Sequence, residues 1–145
     1  MQKKKTKKTR KKKKKVLSGK RLTNKLDQMI RDIFKVIYPN PVCFVCGQNK
    51  GWFHPKTNVC GCQVGHYVSR KYFFLRWDLD NVKPQCSVCN RFHNYNGIPY
   101  TLAIIKHHGI KRLFKLNQIL KETKGVSMSD TKKRTILAQL RLSLG

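Results

Sequence analysis

Two Cys-x-x-Cys pairs constrain this chain more than any other feature of its sequence. The four residues are Cys43, Cys46, Cys86 and Cys89, and 39 residues separate the first pair from the second. Each pair can place two thiolates on one Zn²⁺, and two pairs complete the tetrahedral four-thiolate site typical of structural zinc. Such a site is closed, so it can hold a fold together but cannot catalyse hydrolysis. The spacing therefore predicts one structural zinc ion.

The two remaining cysteines, Cys60 and Cys62, are spaced Cys-x-Cys, which suits a zinc knuckle less well. We expect them to be small thiols in a turn, and a second metal site is the alternative. Either of them, or His54, could instead join a mixed zinc site, and a thiol redox motif is a further alternative. Because no secretion signal precedes the cysteines, we expect a reducing compartment, where paired cysteines bind metals rather than form disulfides.

The charge balance is strongly basic, with 33 Lys and Arg against 6 Asp and Glu and a formal net charge of +27. Residues 3–21 contain 13 of these cations and no acidic residue, and the rest of the chain still has a net charge of +14. Both parts are therefore expected to attract a polyanion, and a nucleic acid is favoured. No apolar run approaches the ~18 residues of a membrane span, so we expect no membrane anchor.

We divide the chain into four parts: a disordered Lys-rich tail over 1–17, an amphipathic helix within 18–40, a compact core over 41–97 and C-terminal helices over 98–145. The tail is predicted from its dense like charge, which cannot bury a core. Helical spacing of apolar residues predicts the first helix. These residues are Leu22, Leu26, Met29, Ile30, Ile33 and Ile37.

Within the core, alternation predicts a short strand over 63–68, with 52–54 as its neighbour. Pro99 at a first turn and Gly109 just past a last one predict a helix between them. Two further helices are expected: one over 111–124, and one over 130–142 that is capped by Ser129 or Asp130.

Four polar residues near the cysteine pairs follow the order His, Asn, Asn, His: His66, Asn81, Asn90 and His93. The order resembles that of the HNH, or His-Me finger, nucleases, in which a zinc-bound hairpin and helix hold such residues around one divalent cation. Over residues 42–105 the chain is also similar to the NinG/Rap recombination endonucleases of lambdoid phages. The matching motifs are Gly65-His66-Tyr67, Leu75-Arg76-Trp77-Asp78, Asn81-Val82, Gln85-Cys86-x-Val88-Cys89-Asn90 and Ile98-Pro99-Tyr100.

The resemblance implies an α+β fold, with a small zinc-stapled ββα-metal (HNH-type) core flanked by helices. It implies a metal-dependent endonuclease that hydrolyses phosphodiesters in branched DNA recombination intermediates such as Holliday junctions. It also implies a phage-encoded protein acting in the cytoplasm or nucleoid of a bacterial host. Symmetric cutting of a four-way junction needs two active sites, so we expect a homodimer formed through the C-terminal helices.

The resemblance also implies a role for each polar residue. His66 would be the base that activates water, which suits a histidine that is neutral at pH 7. Asn81 matches the residue that orients the loop or the histidine without touching metal. Asn90 matches a metal ligand, and its amide oxygen suits Mg²⁺ or Mn²⁺. His93 lies one helical turn further on and is expected to be a second ligand or a phosphate contact.

One position departs from the family pattern. Many members have an acidic residue directly before the base histidine, but here that residue is Gly65, and position 63 is Gln63. Asp78 or Asp80 could substitute through the fold, or the ion could rest on the amide and imidazole ligands, water and substrate phosphates. We expect weak, substrate-assisted metal binding, with loss of catalysis as the alternative.

Cations near the motif and in the tail are the candidate DNA contacts: Arg70, Lys71, Arg76, Arg91, Lys11, Lys12 and Lys13. The tail lysines are expected to grip phosphates nonspecifically, and a localisation signal is the alternative. Arg76 could hold a phosphate as a bidentate fork, or pair structurally with Asp78 or Asp80. Charge and zinc knuckles alone would equally fit a non-catalytic, zinc-stabilised nucleic-acid-binding protein, which is the alternative function.

Overall fold

The computed structural model describes residues 16–142, so the predicted contacts of Lys11, Lys12 and Lys13 lie outside the described residues. The described part is a mixed fold of helices and one small two-stranded sheet. Its elements in chain order are α1 (Gly19–Ile37), β1 (Cys62–His66), α2 (Phe73–Arg76), β2 (Val82–Cys86), α3 (Ser87–Phe92), α4 (Ile98–His108), α5 (Ile110–Thr123) and α6 (Asp130–Leu142). None of these helices is both long and apolar enough to cross a membrane.

Helix α1 has the amphipathic pattern that the sequence predicts, since an apolar stripe at helical spacing is buried against the rest of the fold. The buried residues are Leu22, Leu26, Met29, Ile30, Ile33 and Phe34. Ile37 was assigned to this stripe but is 54% exposed, because Phe34 rather than Ile37 completes the buried face. Helix α6 packs along α1, and Gly19 at the start of α1 donates its N–H to Asp130 Oδ2 over 2.7 Å.

The sheet differs from the sequence prediction in its second strand. β1 pairs antiparallel with β2, with Cys62 opposite Cys86 and His66 opposite Val82. The predicted neighbour, 52–54, does lie beside β1, but it is not a strand: Trp52 makes one isolated parallel bridge to Cys62. β2 was missed because all five of its residues are buried, including polar ones and Pro84, so the sequence shows neither alternation nor a continuous apolar run.

The three C-terminal helices form where they were predicted. Gly109 follows α4 with a φ of +77°, a left-handed conformation that favours glycine. Ser129 caps α6 by accepting the Lys132 N–H at 3.2 Å. Helices α4 and α5 pack on the loop before α2 and on α2 itself, around a second apolar cluster that comprises Val68, Leu75, Tyr100, Ile104 and Leu116.

Candidate functional site

The four cysteines of the two Cys-x-x-Cys pairs come together as predicted. The sulfurs of Cys43, Cys46, Cys86 and Cys89 all lie within 4.8 Å of one another. Four sulfurs at about 2.3 Å from one Zn²⁺ in a tetrahedron would be separated by about 3.8 Å, so a small contraction brings the cluster to that geometry. The cluster therefore fits one structural zinc ion bound by four thiolates.

Backbone N–H groups support this cluster, as expected for metal-binding thiolates. Cys86 N donates to Cys43 Sγ at 3.3 Å, and Cys89 N donates to Cys86 Sγ at 3.5 Å. The cluster joins the 42–49 turn to the junction of β2 and α3, and so fixes the start of α3. Neither Cys60 nor Cys62 belongs to the group. Cys60 is exposed in a turn, as predicted, whereas Cys62 is buried as the first residue of β1, because it pairs there with Cys86.

A cleft of about 810 Å³ lies between the sheet, α1 and α3. Three of the four predicted active-site residues line it: His66, Asn90 and His93. Five cations also line it: Arg31, Lys35, Arg70, Arg76 and Arg91. Lys71, a predicted DNA contact, is not among the described lining residues and instead lies 5.0 Å from the Tyr72 ring centre. The cleft thus places two imidazole groups and one amide group in strongly positive surroundings.

His66 is the last residue of β1, and its ring is held by one hydrogen bond. Its Nε2 lies 3.0 Å from the carbonyl oxygen of Arg76. Because a carbonyl only accepts, Nε2 must have the proton, and Nδ1 is left with the lone pair. Burial lowers the pKa of His66 to about 4, and the charges of Arg70 and Arg76 add to this effect. The imidazole is therefore neutral at pH 7, as a base must be.

Asn81 is not among the described residues that line the cleft. It is fully buried, where its Oδ1 accepts from Val68 N at 2.7 Å. Its Nδ2 donates to the carbonyls of Val68 and Leu75 at 3.0 and 2.9 Å. These bonds fasten both ends of the loop that follows His66, which agrees with the orienting role implied by the resemblance.

Asn90 and His93 both line the cleft from the α3 side. Asn90 Nδ2 donates to Gln63 Oε1 at 3.1 Å, which leaves Asn90 Oδ1 as an acceptor. His93 Nε2 donates to the Tyr67 carbonyl at 2.9 Å, and its Nδ1 is buried without a hydrogen-bond partner. The ring is thus held through Nε2 while Nδ1 keeps its lone pair, so the ligand or phosphate-contact role of His93 stays a prediction.

Arg76 pairs with a residue that the sequence analysis did not consider. Its Nε and Nη2 donate to Oδ1 and Oδ2 of Asp27 on α1, at 2.9 and 2.6 Å. The predicted partners lie elsewhere: Asp80 pairs with Arg112, and neither Asp78 nor Asp80 is among the described residues lining the cleft. The Arg76 fork is thus already occupied, whereas Arg70 and Arg91 at the cleft form no ion pair with any of the described residues.

The comparisons with known proteins give one family. A family model described as Bacteriophage Lambda NinG protein matches residues 1–142. The chain belongs to the NinG family. Neither the search of curated proteins nor the search of solved structures returns a match. The match extends beyond the 42–105 region in which the sequence resembles the family, and it includes all of α1 and α6.

In this NinG-family chain, the space beside Gly65 is filled by Gln85. A Cβ added at Gly65 would lie 2.2 Å from Gln85 Oε1 and 2.7 Å from Gln85 Cβ. Gln85 is 1% exposed, and its Oε1 has no hydrogen-bond partner among the described residues. An acidic side chain at position 65 would therefore collide with Gln85, so the structure accounts for the glycine by packing.

Proposed function

We propose that this NinG-family chain is a metal-dependent DNA endonuclease of the HNH type that cuts branched recombination intermediates such as four-way junctions. The main support is His66, a neutral imidazole whose Nε2 is engaged and whose Nδ1 retains its lone pair, at the edge of a cleft lined by five cations. A base beside a phosphate-binding surface is what phosphodiester hydrolysis requires.

The order of the elements around this base supports the HNH assignment. β1 ends at His66, β2 returns antiparallel to it, and α3 follows directly after β2 with Asn90 on it. The cysteine cluster fixes the turn from β2 into α3, so a zinc ion there would hold Asn90 opposite His66 without taking part in the chemistry. Strand, strand and helix then correspond to the ββα arrangement that the sequence resemblance implies.

The side chains divide the work of hydrolysis as follows. His66 Nδ1 accepts the proton of the attacking water, while the bond from Nε2 to the Arg76 carbonyl holds the ring and its tautomer. The exposed Arg70 and Arg91 contact phosphate oxygens at the cleft and neutralise their charge. Asn90, which lines the cleft, would offer its amide oxygen to a Mg²⁺ or Mn²⁺ ion, and that ion would stabilise charge on the phosphate.

The donor set at the cleft supports weak metal binding. Within residues 16–142, no group of three or more His, Cys, Asp or Glu side chains other than the four cysteines is close enough to hold a metal. Asp27 lines the cleft, but both of its oxygens are occupied by Arg76 and Trp77. Mg²⁺ commonly keeps several waters and takes substrate phosphate oxygens as ligands, so we expect the ion to bind together with DNA.

The experiment compares a labelled four-way junction with a linear duplex of the same sequence, in Mg²⁺, Mn²⁺ or EDTA. We expect metal-dependent cuts near the branch point, lost in His66→Ala while junction binding persists. His108→Ala removes an exposed histidine at the end of α4, outside the cleft, and serves as the matched control. Cleavage by His66→Ala at the wild-type rate would contradict the assignment of the base.

A second candidate function is a non-catalytic, zinc-stabilised nucleic-acid-binding protein. The single possible metal-ligand group in the described residues is the cysteine cluster, which favours this alternative over a redox protein. Tight, salt-sensitive binding to both DNA substrates, without a cut in either metal, would establish it. The oligomeric state is measured in the same samples, because symmetric junction cutting predicts a dimer on the junction.

A further inference from the structure

Helix α1 reaches into the cleft through one acidic residue, Asp27, which lies among the cations there. We propose that Asp27 is a positioning residue for His66: it holds Arg76 in place, and the main-chain carbonyl of Arg76 in turn holds the His66 ring. This inference rests on the proposed role of His66 as the base. It gives α1 a role in positioning the base, although Asp27 on α1 and His66 on β1 lie in different parts of the chain.

The contact between Asp27 and Arg76 is two-pronged and shielded. Nε and Nη2 of Arg76 meet the two carboxylate oxygens of Asp27 at 2.9 and 2.6 Å, with the two side chains only 17% and 16% exposed. Such a fork restrains both the direction and the distance of the guanidinium. Burial alone would raise the pKa of Asp27, but hydrogen bonds from Arg76 and Trp77 outweigh it and leave that pKa below its ordinary value.

Two further bonds extend the restraint along the chain. Trp77 Nε1 donates to Asp27 Oδ1 at 2.8 Å, so two consecutive residues are fastened to the same carboxylate. Arg76 Nη1 donates to the Arg70 carbonyl at 3.1 Å, which ties the guanidinium to the loop after β1. The main chain at Arg76 is therefore fixed by side-chain bonds on both sides of its carbonyl.

That carbonyl is the only hydrogen-bond partner of the His66 imidazole ring within residues 16–142. If the Arg76 carbonyl shifts, Nε2 loses the acceptor that selects the Nε2–H tautomer, and no hydrogen bond then fixes the orientation of the ring. The lone pair on Nδ1 then faces the cleft for only part of the time. A shift of about 1 Å in a reacting group can lower a rate about a hundredfold, so removal of Asp27 should impair cleavage without removing the base.

The test compares Asp27→Asn with Asp32→Asn. Both variants remove one negative charge from α1, but Asp32 contacts Gln28 and not Arg76, so it controls for stronger DNA binding after loss of an acidic residue. Single-turnover cleavage of the junction is measured at saturating protein, together with junction binding. We expect Asp27→Asn to cut about 10- to 100-fold more slowly than Asp32→Asn while binding equally well.

A second measurement reads the position of the ring directly. Two-bond ¹H–¹⁵N correlations at pH 7 report which imidazole nitrogen has the proton, in the zinc-loaded protein without DNA. We expect His66 to be Nε2–H in the wild type and a mixture of tautomers in Asp27→Asn. His93 donates to a different carbonyl, that of Tyr67, and should remain unchanged as an internal reference. Asp27→Glu retains the carboxylate, so it should restore part of the cleavage rate and part of the Nε2–H tautomer of His66.

The outcomes separate this inference from the proposed function. Equal cleavage rates for Asp27→Asn and Asp32→Asn, or an unchanged His66 tautomer in Asp27→Asn, would overturn the inference. If the wild type cuts no substrate in either metal, the endonuclease assignment fails, and the tautomer measurement still decides whether Asp27 positions His66. If Asp27→Asn loses its zinc or its helical circular dichroism, the same measurements are made on Arg76→Lys, which keeps the charge but cannot form the two-pronged contact. Wild-type cleavage and an unchanged His66 tautomer in Arg76→Lys would refute the inference.

Discussion

The depressed pKa of His66 makes the stability of the fold depend on pH in a defined direction. Burial lowers this pKa to about 4 in the folded chain, against about 6.5 for an unfolded histidine. As pH falls through this window, the unfolded chain binds the proton first. The stabilisation that neutral His66 gives to the free energy of unfolding is therefore complete above about pH 6.5 and is lost as pH falls towards 4. From these two values, linkage gives a loss of about 1 kcal/mol between pH 7 and pH 5.5.

His66→Gln isolates this contribution, because an amide can still donate to the Arg76 carbonyl but does not titrate. Urea unfolding at saturating zinc should show that the wild type loses about 1 kcal/mol more than His66→Gln between pH 7 and pH 5.5. His54→Gln controls for the removal of an exposed histidine. Parallel losses in wild type and His66→Gln, or an NMR titration of His66 with a midpoint near 6.5, would refute the reasoning.

Three further predictions follow from the cysteine cluster, the buried amide and the packed glycine. Cys86→Ser should lose the bound zinc and cooperative unfolding, whereas Cys60→Ser should keep one zinc per chain; metal analysis and thermal melting check both. Asn81→Ala should lower the unfolding free energy by about 2–5 kcal/mol, because it leaves buried backbone groups unpaired. Denaturant titration measures this free energy, and a loss below about 1 kcal/mol would contradict the prediction. Gly65→Ala should cost about 1–3 kcal/mol by collision with Gln85, and an unchanged melting temperature would contradict the packing argument.

Features encoded by local spacing were predictable from the sequence. The Cys-x-x-Cys pairs predicted the ligand group, because each pair is one turn of chain that presents two sulfurs to one ion. The four longer helices were predicted because apolar spacing and the boundary residues Pro99, Gly109 and Ser129 each act within a few residues of the helix that they mark. His66 was assigned from its order relative to Asn81 and Asn90, and its place at the end of β1 agrees with the strand prediction within two residues.

Features that depend on distant residues were not predictable in this way. Asp27 and Arg76 are 49 positions apart, and nothing near either residue distinguishes this pair from the many surface pairings available to a basic chain. β2 was missed for a related reason, since Lys83 and Gln85 are buried by neighbouring elements rather than placed in a strand-like alternation. The errors concern residues whose environment is created by tertiary contacts.

Gly65 shows how such contacts change the interpretation of a motif. In the antiparallel register Gln63 is opposite Gln85, so these two glutamines and Gly65 share one face of the hairpin, which α3 covers. On that face Gln85 fills the volume beside Gly65, while Gln63 holds the amide of Asn90. A carboxylate at position 65 and a glutamine at position 85 would compete for the same space, so the glycine is the consequence of a buried glutamine. The packing therefore explains Gly65 without assuming that the site has lost its chemistry, and the proposed activity is tested at His66 and Asn90 rather than at position 65.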